Sequence, residues 1–199
     1  MGLQQYKALL LIITAVSALF IASPALQKLV FFPQTDFFTE LSLFGSYNNA
    51  TYPSNVTVGN NCRLYLNVDN HLGSCAYYVI ETKFGNQTQF TPNSFNHTNS
   101  NLPSLGSITF FVADKSSLQM PVDISFQYKI DANNSRQLDM QSITLNGATI
   151  NANPATIAWN SEKRGFYGNL FFELWIYNAT VNALQYHERY VSLWLKMNL

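Results

Sequence analysis

Cys62-Arg63-Leu64-Tyr65-Leu66-Asn67-Val68 alternates apolar and polar side chains without a break, and the pattern decides the fold class. A strand turns successive side chains to opposite faces, so Cys62, Leu64, Leu66 and Val68 are expected on one buried face. Asp69-Asn70-His71-Leu72-Gly73-Ser74 follows, rich in turn formers, and Cys75 to Phe84 reads as a returning strand. Strand, Asn/Asp/Gly turn and strand together form a hairpin signature.

Working outward, the same period recurs. Upstream, Phe38 to Phe44 places Thr39, Leu41 and Leu43 on one face and stops at Gly45. Downstream, strands are expected at 105–113, with Ile108, Phe110 and Val112 alternating, and at 121–130, 138–145 and 155–159. Asn169 to Tyr177 and Tyr186 to Met197 carry the strongest patterns, the latter with Val191, Leu193 and Leu195 on one side. After Pro33 no stretch sustains a 3.6-residue period. Seven to nine short strands with turns between them predict an all-β two-layer sandwich over 33–199. Gly85 to Pro103 is long, polar and almost uncharged, and reads as a loop that joins the two sheets or projects from one end.

The N-terminus obeys another rule. Between Lys7 and Lys28 there is no charge, and Leu9 to Ala22 is apolar on all sides. A surface helix would keep one polar face, and roughly 20 apolar residues suffice to cross a bilayer core. The expected organisation is a cytoplasmic stretch over 1–7, a transmembrane anchor over 8–32 and an extracytoplasmic domain over 33–199. The competing reading is a signal peptide ending near Ala25, with small residues at Ser23 and Ala25. Either reading places the body of the chain outside the cytoplasm, as a single-pass protein of the cell membrane or an exported one, with Lys7 inside.

Composition agrees with export. Charged residues make up 11% of the chain, well below the roughly 25% typical of soluble domains, and the net charge is zero. A neutral chain offers no electrostatic footprint for nucleic acid. Asn, Ser, Thr, Gln and 11 Tyr supply the surface polarity instead. The sequon Asn-X-Ser/Thr begins at Asn49, Asn55, Asn86, Asn96, Asn133 and Asn178. With 22 Asn and 31 Ser plus Thr, chance alone gives about three or four, so placement carries more weight than number. All six follow the export segment, and five fall in expected turns or strand ends. N-linked glycans are therefore expected partners, with Asn55 partly shielded.

No catalytic constellation emerges, and no cofactor is expected. His71, His97 and His187 lie in a turn, a loop and a strand, without metal-ligand spacing. His187-Glu188-Arg189 reads as a solvated strand face, with pairing to Glu173 as the alternative. Glu40, Glu81 and Glu173 sit in expected strands, and nothing pairs them as an acid/base couple. Arg164 to Gly168 lacks the Gly-Lys-Ser/Thr of a phosphate loop. Cys62 and Cys75 are the only cysteines. Across the expected hairpin they lie several residues out of register, so both are expected as small buried residues. The alternatives are a disulfide in a bent hairpin, or a copper or zinc site with His71.

Four motifs together resemble a known family. The run from Pro33 to Gly45, with Phe38-Thr39-Glu40-Leu41 inside it, directly follows the apolar segment. Tyr52-Pro53-Ser54-Asn55-Val56-Thr57-Val58-Gly59 and Val68-Asp69-Asn70-His71-Leu72-Gly73 come next. Phe172-Glu173-Leu174-Trp175-Ile176-Tyr177 and Val191-Ser192-Leu193-Trp194-Leu195 close the chain. These are similar to the archaeal family known as domain of unknown function 1616, over most of 33–197 except about 86–160. Leu72 replaces the acid usual at that turn. The resemblance implies a membrane-anchored, exported, Ig-like domain in archaea and brings no catalytic residues. It also implies that Gly59 ends a turn, His71 caps one, and Trp175 and Trp194 fill the sandwich.

The function expected from these readings is a non-enzymatic structural or accessory subunit of an envelope or membrane protein complex. The alternative is a filament subunit that donates Leu26–Phe38 as a strand to a neighbouring copy. A module using Tyr77, Tyr78, Phe166 and Tyr167 to bind a solute or glycan is a third reading.

Overall fold

The computed structural model describes residues 3–30, 37–46, 51–89, 91–93, 95–152 and 155–199. The chain divides into two units, Met1–Phe37 and Phe38–Leu199.

The first unit contains α1, Leu3–Val30, a helix of 28 residues. Side chains are described for residues 6–18 and 20. Leu9, Leu10, Leu11, Ile12, Ile13, Val16 and Phe20 are 47% to 76% exposed, and they point to every side of the helix. Thr14 satisfies its hydroxyl locally on the carbonyls of Leu10 and Leu11. Among the described residues, no helix is long and apolar enough to cross a membrane. Leu26 to Val30, part of the segment that a donated strand would use, lie in α1.

The second unit is all β. Its strands are β1 (Phe38–Phe44), β2 (Asn55–Thr57), β3 (Cys62–His71), β4 (Ala76–Gly85), β5 (Gly106–Val112) and β6 (Ser116–Asp131). They continue with β7 (Asn134–Leu145), β8 (Ala148–Asn151), β9 (Thr156–Asn160), β10 (Gly165–Asn178) and β11 (Ala183–Asn198). Among the described residues eleven strands replace the seven to nine expected, because β2 and β8 are short and leave little periodic signal.

The strands form one curled sheet in two halves. One half holds β1, β3, β6, β7 and β8, and the other holds β5, β4, β10, β11 and β2. β9 joins them, pairing with β7 through residues 156–158 and with β10 through Trp159 and Asn160. All pairings are antiparallel except β2 on β11.

The expected alternation builds the core. Leu64, Leu66 and Val68 of β3, with Val122, Ile124 and Phe126 of β6, face Tyr78 and Ile80 of β4 and Leu170, Phe172 and Leu174 of β10, all fully buried. Phe84 meets Phe126 across the two halves, ring centroids 5.3 Å apart. Asn146 and Gly147, both at positive φ, make the tight turn between β7 and β8.

The expected hairpin between β3 and β4 does not form. β3 pairs with β1 and β6, whereas β4 pairs with β5 and β10. The turn carries the chain from one half of the sheet to the other. Asn70 directs it: its buried amide donates to the carbonyls of Ser74 and Val112, both at 2.8 Å, and accepts from the Leu72 amide. A turn-rich sequence marks a change of direction but not the strand that receives the chain.

The long loop also departs from expectation. It connects β4 and β5, neighbours in one half, and folds back over the outer face of that half. There Ser100 is buried.

Candidate functional site

The outer face of β4 and β10 holds a group of three charged side chains, Glu81, Lys83 and Glu173. On β4 the alternation sends Tyr78, Ile80 and Thr82 inward and Glu81 and Lys83 outward; on β10 it sends Glu173 outward. Glu81 and Glu173 are register partners, and Lys83 sits diagonally from Glu173. The Lys83 Nζ lies 2.8 Å from Glu173 Oε2 and 3.4 Å from Glu81 Oε2. It also donates to the Ser100 carbonyl at 2.8 Å, while the Ser100 amide donates to Glu173 Oε1 at 2.7 Å. The Lys83 side chain is 4% exposed and that of Glu173 0%.

The loop thus closes over an ammonium held between two carboxylates. Lys83 hydrogen-bonds the Ser100 carbonyl and is paired with two carboxylates, so the lysine acts as a clamp between the loop and the sheet. Glu81 and Glu173 are brought together after all, by sharing a cation, while Glu40 lies opposite Asp69 in the other half. Nearby, the Trp175 and Tyr186 rings pack edge to face at 5.7 Å. Burial, and then the charge of Glu173, push the Tyr186 phenol up from its ordinary range.

A second polar cluster lies on the inner face of the same strand. His187 Nε2 is 2.9 Å from Thr39 Oγ1, which is 2.9 Å from the Tyr78 hydroxyl. That hydroxyl donates to Asn70 Oδ1 at 3.2 Å. His187 therefore belongs to a bridge between the two halves and not to a solvated strand face. Its alternative partner, Glu173, is opposite Tyr190. Glu188 instead pairs with His97 of the loop, Nδ1 to Oε2 2.7 Å. A threonine hydroxyl on an imidazole has the composition of a nucleophile and base, but Thr39 is buried and cannot meet a substrate. Burial is the main cause that lowers the His187 pKa, Arg189 adds to it, and Glu188 opposes both. Burial also raises the Tyr78 phenol.

The cysteines are both free. They flank opposite ends of β3, ten residues long and so about 33 Å, far beyond the 7 Å Cα limit for a bridge. Cys62 is half-buried, and burial with the Asp123 charge pushes its thiol up to about 11. Cys75 is exposed, contrary to the expectation that both are buried. The same separation keeps Cys62 away from His71, which ends β3 and stacks on Phe38 at 4.6 Å. Among the described residues, no three His, Cys, Asp or Glu side chains form a metal-binding group.

The sequons divide by environment. Asn49 lies outside the described residues. Asn55, Asn96 and Asn133 are exposed, so Asn55 lacks the shielding expected of it. Asn86 and Asn178 are half-buried and close local turns. The Asn86 amide nitrogen donates to the Thr156 carbonyl and its oxygen accepts from Thr88, while the Asn178 nitrogen donates to Gln185 and its oxygen accepts from the Thr180 amide.

Of the positions the resemblance singles out, Gly59 does sit in a turn at φ 76°. Trp194 is 42% exposed and Trp175 lies on the outer face, so neither fills the core. Tyr78 and Phe166 are core residues, and Tyr167 bonds the Lys163 carbonyl on the surface. A cavity of about 330 Å³ opens between the two halves, with Phe84, Leu105, Ile143 and Ile157 as its floor and Asn86 and Asn151 at its rim.

No protein-family model matches the chain, and no curated protein matches it. Among solved structures, it is similar to the β-glucosidase from Listeria innocua in complex with isofagomine. The TM-score is 0.40 and the identity 8%, over 83% of this chain and 17% of that one. A mutant of that enzyme in complex with laminaribiose gives 0.40 and 7%, over 84% and 17%. The chain spans about a sixth of the length of these structures, and a likeness of this degree carries no argument about activity.

Proposed function

We propose that this chain is a non-enzymatic, membrane-anchored, extracytoplasmic glycoprotein, a structural or accessory subunit of a cell-envelope or membrane protein complex. The observation that carries the reading is α1, whose apolar side chains are exposed on every side. Seven such residues in water would cost about 1.5–3 kcal/mol each relative to an apolar environment, so they call for lipid or protein around them. The uncharged run from Ala8 to Gln27 supports lipid.

An Ig-like sandwich is the finer reading of the two packed halves, in keeping with the resemblance to the archaeal domain of unknown function 1616. The exposed sequons at Asn55, Asn96 and Asn133 support glycosylation. The two polar clusters support a presenting role over a catalytic one, because the inner one ties the two halves of the sheet together and the outer one ties a loop to a sheet face. Extraction of native membranes in mild detergent, followed by pull-down of the full chain, tests the role. A stoichiometric partner subunit is expected, and a monomer without partners would overturn it.

A further inference from the structure

We propose that β5 is a strand-pairing edge, on which the β5 of a second copy of this chain adds antiparallel across a two-fold axis at Thr109. The inference deepens the accessory-subunit reading above, on which it rests, by naming the partner.

Several strands of the β domain keep one edge without a strand partner among the described residues. Such an edge offers a row of backbone donors and acceptors to any extended chain, and proteins blunt it with charge, proline, a bulge or short length. β1 carries exposed Glu40 and lies against β11, with Thr39 bonded to His187. The part of β6 that precedes its pairing with β7 contains Pro121. β11 has Glu188 and Arg189 beside its bulge, with Glu188 at φ 58°. β8 and β2 are four and three residues long.

β5 has none of these devices. It reads Gly106-Ser107-Ile108-Thr109-Phe110-Phe111-Val112, without a charge or a proline, and pairs with β4 in unbroken register. Its β-branched and aromatic residues give it the composition of a segment that pairs with its like. The outward Ser107, Thr109 and Phe111 are exposed, Phe111 by 69%. The inward Ile108 and Phe110 are only half-buried, although they pack against the core. Across the core β5 approaches β6, where Leu118 and Met120 are half-buried too, in phase with the fully buried Val122 and Ile124. The core is less well covered at this edge, and one more strand would complete it.

The strand fits itself. An axis at Thr109 sets Ile108 of each copy opposite Phe110 of the other on the inner face, an aromatic–β-branched pair repeated by the symmetry. On the outer face Thr109 meets Thr109, and Phe111 lies over the small Ser107. A two-fold contact brings the central residue against itself, so a charge there would repel its own copy, and β5 has none. Val112 closes the edge at one end, its carbonyl taken by the Asn70 amide. Ser107 to Phe111 makes a small interface, and two copies held in one membrane would meet at a raised effective concentration.

The test uses the full chain in mild detergent, on a Cys62→Ala, Cys75→Ser background. Thr109→Cys should oxidise to a disulfide-linked dimer, because facing Cα atoms in an antiparallel pair lie about 4.5–5.5 Å apart. Ser107→Cys alone should not, because the two copies of residue 107 lie about 13 Å apart along the ladder. Co-expressed with Phe111→Cys, which faces it, Ser107→Cys should cross-link again. Independently, Thr109→Lys sets like charges face to face at an exposed position, and should turn a dimer by sedimentation into a folded monomer. Cross-linking at 109 no better than at 107 alone, or a dimer mass unchanged by Thr109→Lys, overturns this inference. A different protein recovered with the chain, with Cys at 109 shielded from thiol reagents but not linked to its copy, means that a foreign strand takes the edge. That result overturns this inference and leaves the accessory reading standing. A monomer recovered without partners overturns both.

Discussion

Tyr78 and Lys83 lie five residues apart on β4, point to opposite faces, and each sits in a buried polar cluster of a different kind. The inner cluster is a run of neutral hydrogen bonds from Asn70 through Tyr78 and Thr39 to His187, tying the two halves of the sheet together across the core. The outer cluster is charged and ties a loop to a sheet face, Ser100 to Lys83 and Glu173. Neutral groups share a small desolvation cost among several bonds. A buried ion pair balances two large terms, so losing one partner leaves the other charge stranded. The two faces of one strand should therefore respond to substitution on different scales.

The largest effect is expected on the outer face. Lys83→Met leaves Glu173 buried with the Ser100 amide as its remaining donor, and should cost about 3–5 kcal/mol in chemical denaturation. Lys83→Met with Glu173→Leu should restore most of that loss. If the double variant is no more stable than the single one, the charge account of the loop clamp is wrong.

On the inner face, Asn70→Ala removes the bonds to Ser74, Val112, Leu72 and Tyr78 at once, and about 2–3 kcal/mol is expected. Tyr78→Phe keeps the ring and loses only the hydroxyl, so about 1 kcal/mol should separate it from the native chain. A Tyr78→Phe cost equal to that of Lys83→Met would erase the distinction between the clusters.

The neutral cluster should also respond to pH through His187. Its folded pKa lies below its ordinary value, so the unfolded chain takes up the proton first as pH falls. Its contribution is complete above the ordinary value of about 6.5 and is lost as pH drops through the lower folded value. Denaturation midpoints between about pH 7 and pH 5 should show a decline that His187→Gln flattens. The smallest effect belongs to Arg63→Ala. The pair with Asp123 is well formed, 2.6 Å between Arg63 and the carboxylate, but exposed, and its loss should leave the midpoint within experimental scatter.

The clusters also mark where the sequence is readable and where it is not. Period-two alternation identifies the inward faces of β1, β3 and β11, because each strand buries one side and the pattern is local. Lys83 and Glu173 lie on the outer faces of β4 and β10, and the alternation alone does not mark them as a pair. What it cannot convey is that a polar loop returns to cover them, since that depends on contacts between Ser100 and a strand 73 residues away. Asn70 is the same lesson in reverse. In sequence it is one more turn former. In the fold its side chain is buried and bonded to Val112, and it sends the chain into the other half of the sheet. The group on α1 is legible throughout, because a run without charge needs no partner in the sequence to be noticed.

The anchored reading is tested most directly by the intact mass and N-terminal sequence of the mature protein recovered from native membranes. The account predicts a chain that begins at Met1 or Gly2 and stays with the lipid through carbonate extraction. A chain that begins near Leu26 and appears outside the membrane would contradict it and favour the filament subunit.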